Sequence, residues 1–160
     1  MNDVQFMQEA LAEAMAAYEN GEYPVGAIIV SGGEILSRGR NAEKTNFDPT
    51  AHAEIRAIRN ACERLQKLKL EECTLYTTLY PCPMCESTIV EVGIRKVVYG
   101  ARPFQWIREV KYGKATLEMI GPILVKHVGA YVSGSSERWV EMTSCITTAH
   151  NEAPNCQEAK

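Results

Sequence analysis

Two short stretches carry residues whose types and spacing suit chemistry: His52-Ala53-Glu54 and, downstream, Pro81-Cys82-Pro83-Met84-Cys85. One imidazole and two thiols supply three ligands that suit Zn2+, and three protein ligands leave the fourth tetrahedral position for water, the layout of a catalytic site. Glu54 stands two positions after the expected histidine ligand, close enough to exchange a proton with a metal-bound water without binding the ion itself. A neutral imidazole and two thiolates cancel the formal charge of the metal, and because Zn2+ lowers the pKa of the water it binds, hydroxide becomes available near neutral pH. The alternative is a closed structural zinc site with a fourth ligand elsewhere. His127 and His150 are the remaining histidines, in strand and terminal-helix contexts where core or surface roles are usual, and a closed site leaves Glu54 without a purpose.

Elements must bring these two stretches together. Apolar residues Phe6, Met7, Ala10, Leu11, Ala14, Met15 and Tyr18 recur at helical spacing over residues 3–20, with Asn2 or Asp3 able to cap the start and Gly21 to end it. Residues 25–30 and 34–38, joined by Ser31-Gly32-Gly33, read as a β-hairpin. Residues 41–49 read as a polar loop, after which Thr50 offers an N-cap for a helix through about residue 68, with His52 and Glu54 in its first turn. Residues 73–79 are rich in β-branched and aromatic side chains and read as a central strand. Pro83 suits the first turn of a helix that runs to Gly93, which puts Cys82 at or just before the helix start. A short strand over 96–100, a last strand over 123–131, a closing helix capped by Ser135 or Ser136 and a polar tail over 151–160 complete the reading; the stretch between the last two strands carries no clear pattern. Strands alternating with helices imply an α/β domain with helices on both faces of one sheet, and the hairpin makes that sheet mixed. Cys82 and Cys85 at a helix N-terminus are favoured as thiolates by its partial positive charge.

The composition agrees with one such domain over residues 1–150, followed by the tail. A chain of 160 residues that is 46% hydrophobic and 23% charged buries about 70% of its unfolded surface on folding. The N-terminus has no apolar run of signal-peptide or membrane-span length, which points to a cytoplasmic protein with no membrane partner. Cys62, Cys73, Cys145 and Cys156 have no framework spacing and read as free thiols. A net charge of −3 provides no broad basic field for a polyanion.

The H-x-E and P-C-x-x-C combination is the pattern of zinc-dependent base deaminases. With Pro24-Val25-Gly26-Ala27, Gly39-Arg40-Asn41, Asp48-Pro49-Thr50-Ala51 and Val97-Val98-Tyr99-Gly100-Ala101, the chain resembles the cytidine deaminase superfamily from about residue 7 to 101, in the branch of guanine deaminases, tRNA adenosine deaminases and fungal cytosine deaminase. The resemblance implies a three-layer α/β/α sandwich around a five-stranded mixed sheet and a homodimer. It implies that His52, Cys82 and Cys85 bind zinc, that Glu54 shuttles protons, that Asn41 hydrogen-bonds the base and that the Ala53 N–H holds a group of the substrate. In the implied reaction, water adds to an amidine-like ring carbon. Glu54 passes the water's proton to the ring nitrogen and later protonates the departing amine.

Three further residues are candidates for the substrate pocket. Val25 either walls the base or fills the strand core, and Trp106 is a loop aromatic able to stack on a flat ring. Tyr80 occupies the position before Pro-Cys where both purine-deaminating groups usually carry glutamate. The substrate signals conflict: Pro24-Val25-Gly26-Ala27 resembles tRNA adenosine deaminases, whereas Ala57-Ile58-Arg59-Asn60-Ala61-Cys62 and Leu75-Tyr76-Thr77 resemble guanine deaminases. Residues 133–160 carry only Arg138 and Lys160 against Glu137, Glu141, Glu152 and Glu158, an acidic balance unlike the basic C-terminus of the tRNA-editing branch. The expectation is therefore deamination of a free base or nucleoside with a guanine-like or cytosine-like ring. A tRNA adenosine deaminase making inosine is the first alternative, and a zinc-stabilised binding protein without turnover the second.

Overall fold

The computed structural model describes residues 1–101 and 117–121. In chain order its elements are α1 (Asp3–Glu19), β1 (Gly26–Ser31), β2 (Glu34–Arg40), α2 (Glu43–Asn46), α3 (Ala53–Leu65), β3 (Cys73–Leu79), α4 (Pro83–Glu91), β4 (Lys96–Ala101) and β5 (Glu118–Ile120). Side-chain alternation decides the layers, because successive residues of a strand face opposite sides of the sheet. Ala27, Ile29, Leu75 and Val97 are buried on one side with Ala57, Ile58 and Ala61 of α3 and Ile89 of α4. Ile28, Val30, Tyr76 and Val98 are buried on the other with Phe6, Met7, Ala10 and Leu11 of α1. Central strands that are apolar on both faces need helices on both faces, and the expected three-layer sandwich follows.

The strand order is β2-β1-β3-β4-β5. β1 runs antiparallel to both β2 and β3, while β3–β4 and β4–β5 are parallel, so the five-stranded sheet is mixed as expected. The parallel β3–β4 pair requires a crossover, and α4 supplies it. Register is set by buried pairs such as Ile29 opposite Leu75 and Leu75 opposite Val97; a slip of one residue would turn this whole set to the other face.

α1 starts with a reciprocal cap in which the Gln5 N–H donates to Asn2 Oδ1 at 2.9 Å and the Asn2 N–H donates to Gln5 Oε1 at 2.8 Å. It lies close over β1 because Gly26 has no side chain: a Cβ there would stand 2.1 Å from the Ala10 carbonyl oxygen. No helix among the described residues is long and apolar enough to cross a membrane. Cys62 and Cys73 are free thiols.

Four expectations change. Thr50 does not cap α3; its N–H and hydroxyl both donate to Asp48 Oδ1, at 2.8 and 2.7 Å, closing a turn that uses the hydroxyl locally. The N-cap is His52, and the helix ends at Leu65, where Gln66 turns left-handed at φ 53°. The polar loop over 41–49 contains the single turn α2, closed by Phe47 at φ 51°. The fifth described strand, β5, falls in the stretch without a clear pattern, whereas the expected strand over 123–131, the closing helix, the tail, Cys145, Cys156, His127, His150 and Trp106 lie outside the described residues.

Candidate active site

His52 and Cys82 hold equivalent places, each the N-cap of a helix and each in extended conformation. An N-cap side chain ordinarily bends back to accept from its own helix. Here neither does, and both side chains are left to meet each other. Pro83 begins α4 directly after Cys82, and one helical turn then places Cys85 on the same side.

His52 Nδ1 lies 3.6 Å from Cys82 Sγ and 3.5 Å from Cys85 Sγ, and the two sulfurs are 3.7 Å apart. A tetrahedral centre with metal–sulfur bonds of about 2.3 Å and metal–nitrogen bonds of about 2.05 Å has edges of about 3.8 Å between sulfurs and about 3.6 Å between nitrogen and sulfur. The triangle therefore fits zinc in both donor type and size. His52, Cys82 and Cys85 are the one such ligand cluster among the described residues.

The cluster favours a thiolate at Cys82. A hydrogen bond from Cys85, working against burial, and a second from His52 pull the Cys82 thiol down to about 4. The same shared bond and burial push Cys85 up. Hydrogen bonding to Cys82 raises His52, although partial burial opposes it. Two helix N-termini facing the sulfurs add to this preference for negative charge.

Glu54 is 3% exposed. Burial pushes its carboxyl up, and Glu54 lines the same cavity as His52 and Cys82. A buried carboxyl with a raised pKa is suited to taking and returning a proton.

A cavity of about 270 Å³ opens over this cluster. Asn41, Ala53, Val25 and Tyr80 all line it, together with His52, Glu54 and Cys82. Val25 both lines the cavity and packs against the core beneath it. Asn41 is 4% exposed and also joins two roles: its Oδ1 accepts from the Glu43 N–H at 3.3 Å in a turn, and its own N–H donates to the Val25 carbonyl at 3.0 Å. The Tyr80 N–H donates to the Ala101 carbonyl at 2.7 Å, and its ring stands edge-on to Tyr99 with centroids 5.1 Å apart. A phenol locked by backbone and ring contacts thus borders the cavity where glutamate was expected.

Sequence reading missed Tyr23, Leu79 and Glu43, which also line the cavity. Glu43 Oε2 accepts from Asn41 Nδ2 at 2.7 Å and lies 3.6 Å from His52 Nε2. The available signal was an acidic residue two places after Asn41, and it was absorbed into the polar loop.

Residues 1–101 match the family described as the cytidine and deoxycytidylate deaminase zinc-binding region. The chain belongs to this family. The tRNA-specific adenosine deaminase of Aquifex aeolicus is 50% identical over 101 residues, which are 63% of this chain and 67% of that protein. The guanine deaminase of Bacillus subtilis is 42% identical over 102 residues, 63% of this chain and 65% of that enzyme. The chain thus spans about two thirds of the length of these curated relatives. A solved structure from a study of A-to-I editing by tRNA:A34 deaminases at the wobble position of transfer RNA superposes with a TM-score of 0.65 at 35% identity, covering 72% of this chain and 96% of that one. The zinc-binding family and the ligand triangle agree on the cofactor.

Proposed function

We propose that the protein is a zinc-dependent hydrolase that deaminates a purine ring, with adenosine in a tRNA loop as the first substrate and free guanine as the second. The observation that carries the reaction class is the three-ligand triangle beside a buried carboxyl at the floor of a cavity. Bound zinc would supply a polarised water for attack at the ring carbon that bears the exocyclic amine.

The chain's own residues account for the remaining steps. Asn41 and the N–H of Ala53, at a helix start that no side chain caps, hold the ring edge. Val25 and Tyr80 wall its faces. Glu54 accepts a proton from the attacking water and delivers it to the neighbouring ring nitrogen, then takes the second proton of that oxygen and gives it to the amine, which leaves as ammonia as the C–N bond breaks and the carbonyl forms. Water is consumed and no redox partner is needed.

The 50% identity to a tRNA adenosine deaminase supports adenosine ahead of guanine, whose deaminase is 42% identical. The expectation from the chain alone put a small base first, and the acidic balance of residues 133–160 still favours free guanine as the second reading. Assaying the zinc protein against a tRNA anticodon stem-loop, guanine, cytosine and their nucleosides decides the order. Inosine in the stem-loop supports the first reading. Ammonia from guanine alone transfers the assignment to the second, and no ammonia from any substrate leaves a zinc-stabilised binding protein. A homodimer, suggested by the family resemblance, belongs to the same proposal and is removed by a monomeric mass in sedimentation equilibrium.

A further inference from the structure

We propose that Glu43 is a positioning residue that orients the zinc ligand His52 and the base-facing Asn41 through one carboxylate oxygen. The inference rests on the zinc-deaminase reading above and concerns a residue outside the H-x-E and C-x-x-C motifs.

Two contacts lock the Asn41 side chain. Glu43 Oε2 accepts from Nδ2 at 2.7 Å, and the Glu43 backbone N–H donates to Oδ1 at 3.3 Å. A carboxylate only accepts and a backbone N–H only donates, so a flipped amide would lose both. The lock uses one Nδ2 hydrogen and one Oδ1 lone pair. A donor and an acceptor remain for a base edge in the cavity that Asn41 lines.

The same oxygen reaches the metal site. His52 turns Nδ1 toward both sulfurs, so the ring proton of a metal-binding imidazole sits on Nε2. Nε2 is 3.6 Å from Glu43 Oε2. A carboxylate facing the outer nitrogen of a ligating histidine holds the ring in its tautomer and plane, and loss of such a partner commonly costs about 10- to 100-fold in metal affinity.

Glu43 is itself held in place. It is the first residue of α2, whose next two N–H groups donate to the buried carboxylate of Glu22, Lys44 at 3.1 Å and Thr45 at 2.6 Å. The anchored turn aims one carboxylate at two residues of different function. Occupancy of the cavity by a base and retention of zinc therefore share a support.

The test uses the full-length zinc protein with Glu43→Ala, Glu43→Gln and Asn41→Ala. Zinc affinity is measured by competition with a chromogenic chelator, and KM and kcat by ammonia release on the best substrate. Glu43→Ala is expected to weaken zinc about 10- to 100-fold and to raise KM. Asn41→Ala should raise KM with zinc affinity unmoved, and Glu43→Gln, which keeps one acceptor oxygen, should recover part of both losses. Zinc affinity within twofold of the unsubstituted protein in Glu43→Ala overturns the role at His52, and an unchanged KM overturns the role at Asn41. If Glu43→Ala does not fold, the same two readouts on Glu43→Gln decide. Weakened zinc binding in Glu43→Ala upholds the role at His52 whatever the activity, whereas the absence of turnover by the unsubstituted zinc protein on every substrate overturns the role at base binding and rejects the proposed activity, so the two failures are distinguishable.

Discussion

Gly39 of β2 lies directly beneath Ala53, the first residue of α3: a methyl group added at Gly39 would stand 2.2 Å from the Ala53 carbonyl oxygen and 2.4 Å from the Ala57 nitrogen. Both obstacles are backbone, so neither can swing aside. Gly39→Ala must lift the end of the helix that carries His52 and Glu54. Overpacking of this kind costs about 1–3 kcal/mol, and a displacement of about 1 Å at reacting groups costs about 100-fold in rate. Urea unfolding together with ammonia release is expected to show both losses, with activity falling well beyond the fraction unfolded. Full activity in the variant would mean that α3 does not need its close seat on β2.

Glu54 makes the most direct test of the mechanism. Glu54→Gln keeps the size of the side chain and leaves all three zinc ligands in place. Turnover is expected to fall by about 100- to 10,000-fold, the range for loss of a general acid–base group, while zinc content measured by atomic absorption stays at the unsubstituted level. Retained turnover would remove Glu54 from the reaction.

Zinc binding should weaken as pH falls. Zinc must displace protons from its ligands, because Cys85 and His52 both sit above their ordinary values. Each proton released on binding lowers apparent affinity by about tenfold per unit of acidification. Chelator competition between about pH 8 and pH 6 should show this slope. A flat profile would mean that the cluster is deprotonated before zinc arrives. Chelation should abolish activity, and zinc should restore it.

Glu22 links acid stability to the site. Its burial alone would raise its pKa, but hydrogen bonds from Thr45 and Lys44 and the charge of Lys44 hold it below the usual carboxylate range. A depressed folded pKa gives stability that is present above the unfolded value of about 4.3 and lost as pH falls through the lower folded value. Glu22→Gln should therefore be less stable than the unsubstituted protein at neutral pH, with the gap closing in acid. Chemical denaturation at pH 7 and pH 3 checks this, and equal stability at both would remove Glu22 as the anchor of α2.

Much of the site was legible because its spacing is local. Cys82 and Cys85 fall one helical turn apart, and Pro83 marks where that turn begins. Strands β1, β3 and β4 carry runs of apolar residues that only a sheet covered on both faces can bury. The three-residue metal cluster and the layered fold both follow from such short-range patterns.

Cap geometry was less legible, because Thr50 and His52 both stand near the start of α3. Asp48 decided between them by accepting both the N–H and the hydroxyl of Thr50. β5 is three residues long, too short for a period to show.

Residue types and local periodicity are enough to pick out side chains that could bind zinc and move a proton, and the elements that carry them. The packing of strands and helices is what brings His52 Nδ1 and Cys85 Sγ, 33 residues apart in the chain, to 3.5 Å from each other. It also decided that Glu43 reaches both Asn41 and His52. The physical reason is that periodicity encodes which side of an element is buried. Distances between elements are set by sheet register and by contacts as close as that of Gly39 with Ala53, which no local pattern records.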